Sequence, residues 1–201
     1  MFEKMAVYSG LIATVWIVLG VFIAGRYYAG YNHAKQFCSE LGAAGCPTEK
    51  LSPRINNYPL GLLFCFFGWY LIQLPNVSLL VTGAGWCVIA HGLATSVAGY
   101  FPMDADPFTE NPSFNCKIHT VAGIVMLLSL FVAPVLVALS PTSDVISQHF
   151  KVFSWIMVVA AVVFLLTMTR AINQQTNPGI HQRLSYGAQL IWLTGLSLQL
   201  G

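Results

Sequence analysis

The chain has 201 residues, of which 56% are hydrophobic and only 8% are charged, and its mean hydropathy is +0.69. Soluble domains carry about 25% charged residues, so this composition excludes a soluble globular protein and indicates an integral membrane protein. The net charge of +2, with no basic run, argues against a nucleic-acid partner.

Long apolar runs predict an all-α, polytopic transmembrane bundle of six helices with short loops. A bilayer core of about 30 Å needs about 20 apolar residues per helix, so the length leaves no room for a soluble domain. Runs such as VMLLSLFVAPVLVAL do not alternate between apolar and polar residues, which argues against a β-barrel. The predicted spans of this single domain, residues 1–201, cover about residues 5–25, 59–74, 77–101, 119–139, 152–169 and 185–200.

Small residues recur along the third span and predict that it lies at the centre of the bundle. Ala90, Ala94 and Ala98 repeat every four residues, a spacing that lets helix backbones approach closely in lipid. A central third helix would also keep His91 away from the lipid. Pro134 is expected to kink the fourth span.

The distribution of basic residues predicts the orientation. Six spans put both termini on one side and the three longer loops on the other, and the longer loops carry seven of the nine Lys and Arg residues. The positive-inside rule then places these loops in the cytoplasm of a multi-pass protein of the cell membrane, such as a bacterial inner membrane. A disulfide between Cys38 and Cys46 would require the opposite orientation.

The polar side chains are concentrated on the long-loop face. They include His33, Ser39, Glu40, Asp104, Asp106, His119 and Arg183. His91 lies ten residues before Phe101, about 15 Å below that face at helical rise. Since ionisable groups at membrane depth usually face the bundle interior, we expect a cavity that opens on this face and extends towards His91. The structural alternatives are a hydrogen-bonded packing histidine at 91, loop or cap roles for Asp104, Asp106 and His119, and a surface anchor at Arg183.

Two kinds of reactive site can be built from these residues. Asp104, Asp106 and His119, with His33, are a candidate set of ligands for zinc or another divalent metal. Ser39 with a histidine and an aspartate is a candidate hydrolytic triad, although such triads are recognised by geometry and not by sequence. No two histidines sit at matched depth in two spans, which argues against haem.

Three segments together resemble a known family of membrane proteins. Residues 31–47, YNHAKQFCSELGAAGCP, resemble the first-loop motif of the domain of unknown function 998 family; residues 99–104, GYFPMD, followed by His119, and then Gln182-Arg183, resemble its two later signatures. Cys38 departs from the aliphatic residue expected before Ser39. The resemblance implies a six-span plan in which Ser39, Glu40, Asp104, His119 and Arg183 matter as a set. It implies no reaction.

Two functional hypotheses follow. In the first, the chain is an intramembrane enzyme that binds or hydrolyses a lipid or other amphiphile, with Asp104 and His119 as metal ligands or as an acid/base pair. Glu40 would be a second carboxylate, Ser39 a nucleophile or hydrogen-bond donor, and Arg183 the group that binds an anionic head group. In the second, the chain is a non-catalytic carrier, sensor or accessory subunit, and the same residues form a structural lock. The expected partners are membrane lipids, with a second copy or a partner membrane subunit as further alternatives. The absence of internal repeats or a filter motif argues against a transporter or a channel.

Overall fold

Six α-helices account for most of the chain in the computed structural model, which describes residues 2–142 and 145–201. They are α1 (Phe2–Tyr27), α2 (Tyr58–Gln73), α3 (Leu79–Tyr100), α4 (Phe114–Leu139), α5 (Gln148–Asn173) and α6 (Pro178–Leu200). No strand occurs in the described residues. The predicted all-α bundle of six helices is therefore confirmed.

Five of the helices are long and apolar enough to cross a membrane, as expected for a multi-pass membrane protein. These segments are Lys4–Tyr27, Pro53–Gln73, Leu79–Tyr100, Phe114–Leu139 and Gln148–Asn173. The sixth helix has 23 residues, enough for about 34 Å at helical rise, but its sequence is more polar. Gln182, Arg183 and Gln189 are among the residues that lower its hydropathy.

Several helices extend beyond their predicted apolar spans because polar residues cap them. The Ser113 hydroxyl accepts a hydrogen bond from the Cys116 N–H and starts α4 before residue 119. The Ser147 hydroxyl accepts from the Phe150 N–H and starts α5 before residue 152. A π-helical turn, Pro53–Asn57, precedes α2, and α6 begins at Pro178 instead of 185 because proline suits the first helical turn.

The helices form a ring in which each one packs against its neighbours in sequence and α6 closes against α1. At this closure the Thr194 hydroxyl donates to the Thr14 hydroxyl over 2.8 Å, and the Ser197 hydroxyl donates to the Val7 carbonyl. Gly201 lies beside Tyr8. The first half of α1 therefore runs antiparallel to the second half of α6, and the start of α1 and the end of α6 lie on the same side of the bundle.

Helices α2 and α3 approach each other closely, and glycines of the two helices face each other at two levels. A Cβ added at Gly92 would lie 2.6 Å from the Gly61 carbonyl oxygen, and one added at Gly68 would lie 2.6 Å from that of Gly85. On its other side α3 packs against α4, with Ala94 and Ala98 in a cluster with Ala122. The small residues of the third span therefore allow close helix packing as predicted. The prediction that this helix lies at the centre of the bundle is wrong, because α3 is one member of the ring and packs mainly against α2 and α4.

Candidate functional site

A cavity of about 350 Å³ lies inside the ring at the end where the long loops meet. Ile17, Val21, Leu60, Met126, Leu127, Leu165 and Met168 supply apolar walls, and a second set of lining side chains is polar. Three of the predicted site residues, Ser39, His119 and Arg183, line this cavity. His33, Glu40, His91, Asp104 and Asp106 do not appear in its wall.

Arg183 braces the loop that follows α1. Its Nη1 donates to the carbonyls of Gln36 (2.8 Å) and Gly179 (2.9 Å), and its Nη2 donates to the Tyr31 hydroxyl (2.7 Å). Nη2 also lies 3.4 Å from Nδ1 of His33. All four partners are neutral groups, and no carboxylate among the described residues pairs with this guanidinium.

The groups around Arg183 are held in their uncharged forms. Burial raises the pKa of the Tyr31 hydroxyl and the pKa of the Cys38 thiol above their ordinary values. Burial, followed by the neighbouring Arg183 charge, lowers the pKa of the His33 imidazole. At neutral pH Arg183 therefore supplies the positive charge at this end of the cavity, and no Asp or Glu of the described chain lines the wall to balance it.

Glu40 fixes the turn that presents Ser39. The residues Cys38–Gly42 form one short 3-10 helix, and the two carboxylate oxygens of Glu40 accept from the Phe37 N–H (2.7 Å) and the Gln36 side-chain amide (2.9 Å). The Cys38 N–H donates to Gln182 Oε1 over 2.8 Å, which ties this turn to α6. Cys38 and Cys46 are free thiols in this arrangement.

Asp104 and His119 organise the connection between α3 and α4. Asp104 Oδ2 accepts from the Ser113 N–H at 2.8 Å, and the Ser113 hydroxyl and N–H together lower the pKa of this carboxyl. His119 Nδ1 lies 2.9 Å from the carbonyl oxygens of both Ala98 and Phe101. Since both partners are acceptors, Nδ1 carries the proton, and Nε2 remains free of any hydrogen bond within the described structure.

His91 is a fully buried, hydrogen-bonded residue next to the cavity. Its Nδ1 lies 2.9 Å from the Met126 carbonyl, and its Nε2 lies 3.0 Å from the hydroxyl of Tyr186, a residue of the cavity wall. The carbonyl requires the proton on Nδ1, so Tyr186 donates to Nε2. The Phe64 ring packs edge-on at 4.6 Å between centroids. This arrangement agrees with the structural alternative for His91.

The structure does not assemble the predicted metal or triad residues into one site. In the described part of the chain no three His, Cys, Asp or Glu side chains converge as a metal-binding group. Asp106 caps an exposed turn, where its Oδ1 accepts from the Phe108 N–H. Neither Ser39 with His119 nor His119 with Asp104 forms a hydrogen bond among the residues described. The donor set among the described residues therefore does not fit a zinc site.

The sequence analysis missed a group of side-chain amides in the cavity wall. They are Asn56, Asn57 and Gln189, whereas a fourth wall amide, Gln182, appears in the sequence analysis as part of the Gln-Arg signature. Gln189 is only 2% exposed, yet neither its Oε1 nor its Nε2 has a hydrogen-bond partner. The Oδ1 of Asn56 is likewise buried without a partner. The sequence feature that could have identified these residues is the presence of uncharged amides inside or beside apolar spans, because burial of an unpaired polar group is costly.

The family model described as "Protein of unknown function (DUF998)" matches residues 11–199. No curated protein and no solved structure matches the chain.

Proposed function

Because the chain belongs to the DUF998 family of proteins of unknown function, its geometry alone must indicate a role, and we propose that it binds the head group of a lipid or other amphiphile in its cavity. The observation that carries this proposal is that the buried side-chain amide of Gln189 has no hydrogen-bond partner. A buried amide with neither polar atom paired costs about 1–3 kcal/mol, and this one belongs to a cavity wall. A bound ligand with polar groups would supply the missing partners.

An amphiphile suits the mixed character of the wall. Ile17, Leu60 and Leu165 offer apolar contact, while Gln189 and His119 offer hydrogen bonds. Ligand pockets are mostly apolar with a few placed polar groups, and they occupy roughly 300–1,000 Å³. The cavity of about 350 Å³ is large enough for a head group and the adjoining part of a chain.

The two hypotheses from the sequence merge in this proposal. Glu40, Asp104 and Arg183 form hydrogen bonds to backbone groups and stabilise the loops at this end of the bundle. Ser39 and His119 line the cavity. We favour binding over hydrolysis because an activated serine is hydrogen-bonded to its base, and no such bond joins Ser39 to His119. Membrane lipids are the proposed partners, and a second copy or a partner subunit stays a prediction.

Replacing Gln189 by leucine tests the proposal. The substitution keeps the volume but removes the amide, so we expect Gln189→Leu to lose the lipid that co-purifies with the wild type, as measured by mass spectrometry of detergent-solubilised protein. The lipid-free variant should also melt higher than the lipid-free wild type, because an unpaired buried amide has been removed.

The matched control is Gln199→Leu, which changes the same residue type at an exposed position of the same helix, outside the cavity. It should keep the bound lipid. Equal lipid content in the wild type and both variants would overturn the proposal.

A further inference from the structure

We propose that the head group bound in this cavity is a polyol, meaning a glycerol or sugar group with neighbouring hydroxyls. This inference rests on the proposed function and narrows its ligand. It depends on which hydrogen-bonding groups of the wall remain free once the protein's own bonds are counted.

The arginine is not arranged to clamp an anion. Arg183 would bind a phosphate or carboxylate through its planar fork, but both terminal nitrogens already donate to loop and helix groups. Only its Nε–H lacks a partner among the described residues. The fork is used to hold the loop and is not free for a ligand.

The hydroxyl groups of the wall are also largely engaged. The Thr95 hydroxyl donates to the His91 carbonyl, that of Thr120 to Cys116, and that of Ser185 to Ala161. Tyr186 donates to His91, as described above. A ligand therefore meets few free donors from these side chains.

The free groups are neutral amides, an imidazole and the Ser39 hydroxyl, which offer donors and acceptors side by side. Gln189 has both its Oε1 and its Nε2 free. Gln182 uses its Oε1 for the Cys38 N–H and retains its Nε2 donors. Asn57 donates to the Thr95 carbonyl and retains its Oδ1, and His119 retains the lone pair of Nε2.

A hydroxyl matches this set because it donates one hydrogen bond and accepts others. A phosphate only accepts and would leave Asn57 Oδ1 and His119 Nε2 without donors. A quaternary ammonium offers no hydrogen bond, and it would meet Arg183 with no carboxylate in the described wall. A group with several adjacent hydroxyls can satisfy the amide donors and acceptors together.

Three probes with the same dodecyl chain separate these cases: dodecyl glucoside, dodecyl phosphate and dodecyltrimethylammonium. Each is titrated below its micelle-forming concentration into wild-type protein held in a polyoxyethylene detergent, and bound probe is counted by native mass spectrometry. We expect the glucoside to bind about tenfold or more tightly than the other two, which corresponds to one additional net hydrogen bond. Gln189→Leu should lose that preference, and Gln199→Leu should retain it.

The outcomes distinguish the polyol inference from the proposed binding of an amphiphile. Tighter, Gln189-dependent binding of the phosphate or the ammonium probe would overturn the polyol inference and leave amphiphile binding intact. Gln189-independent binding of all three probes would overturn both. Free glucose is tested as a competitor of bound dodecyl glucoside. If free glucose binds as tightly as dodecyl glucoside does, the ligand is a free polyol, and the proposal that the ligand is an amphiphile is wrong.

Discussion

At the residue scale, Arg183 connects the start of α6 to the loop after α1. The loop docks on this helix through Arg183 Nη1 to Gln36, through the Ile180 N–H to the Ala34 carbonyl at 3.0 Å, and through the Cys38 N–H to Gln182. The Gln-Arg signature therefore acts as a docking point for the segment that carries Ser39.

Replacing Arg183 by lysine should loosen this loop although the charge is kept. A lysine ammonium cannot reproduce the fork that reaches Gln36, Gly179 and Tyr31 together. We expect Arg183→Lys to lower the free energy of unfolding by about 1–3 kcal/mol and to speed tryptic cleavage at Lys35. Melting in detergent and a proteolysis time course measure the two effects. Arg170→Lys, at an exposed position in the last turn of α5, is the matched control. Equal melting temperatures and equal cleavage rates in the two variants would show that Arg183 does not hold this loop.

The polar residues show which part of the site the sequence could predict. Asp104, His119 and Arg183 were predicted to act at one membrane face because charged residues are rare in this chain and cluster there. The motifs did not show that Asp104 accepts from Ser113, that His119 contacts the end of α3, or that Arg183 holds the loop after α1. A motif does not reveal which backbone groups a side chain reaches. Gln189 was not predicted because the sequence analysis considered ionisable side chains and a glutamine carries no charge. Its lack of hydrogen-bond partners can be seen only in the folded structure.

At the element scale, the fold depends on the contact between α2 and α3. Gly61 opposes Gly92 and Gly68 opposes Gly85, so the backbones touch where side chains would separate them. This contact also places the start of α2 beside α3, where the Asn57 amide donates to the Thr95 carbonyl. The composition predicted six helices and a close-packed third span, but the partner glycines on α2 do not stand out in a short apolar run.

A methyl group at Gly92 should disrupt this contact. Its Cβ would meet the Gly61 carbonyl at 2.6 Å and the Cys65 sulfur at 2.7 Å, and overpacking of this kind costs roughly 1–3 kcal/mol or more. We expect Gly92→Ala to lower the melting temperature and the yield of monodisperse protein in size-exclusion chromatography.

The control for this prediction is Gly187→Ala, because a Cβ at that position of α6 meets nothing within 4 Å. It should be neutral or slightly stabilising, since alanine favours helix by about 1 kcal/mol over glycine. Unchanged stability of Gly92→Ala would show that α2 and α3 do not pack as described.

At the scale of the whole molecule, α6 packs beside α1 in the ring of six helices. The described residues contain five segments that reach the apolarity of a typical span, and α6 is not one of them. The hydrogen bonds between Thr194 and Thr14 and between Ser197 and Val7 explain how a more polar helix is accommodated, because its polar face pairs with another helix.

Topology mapping tests this arrangement and the proposed orientation together. In spheroplasts, epitope tags at both ends of the chain should be accessible to antibody. A tag inserted after Gln175, in the exposed turn between α5 and α6, should be reached only after permeabilisation of the cell membrane. A tag in the turn at Pro75-Asn76 serves as the external control. Tags at the two chain ends that lie on opposite sides would contradict the crossing of α6.

The closure of the ring by α6 has a consequence for biosynthesis. Ribosomal synthesis delivers this helix after the other five, and until it arrives the cavity lacks Gln182, Arg183 and Gln189, while Thr14 has no Thr194 to pair with. A chain that contains only the first five helices therefore lacks the polar side chains that α6 contributes to the cavity wall. A premature stop codon between α5 and α6 would leave the protein in that state.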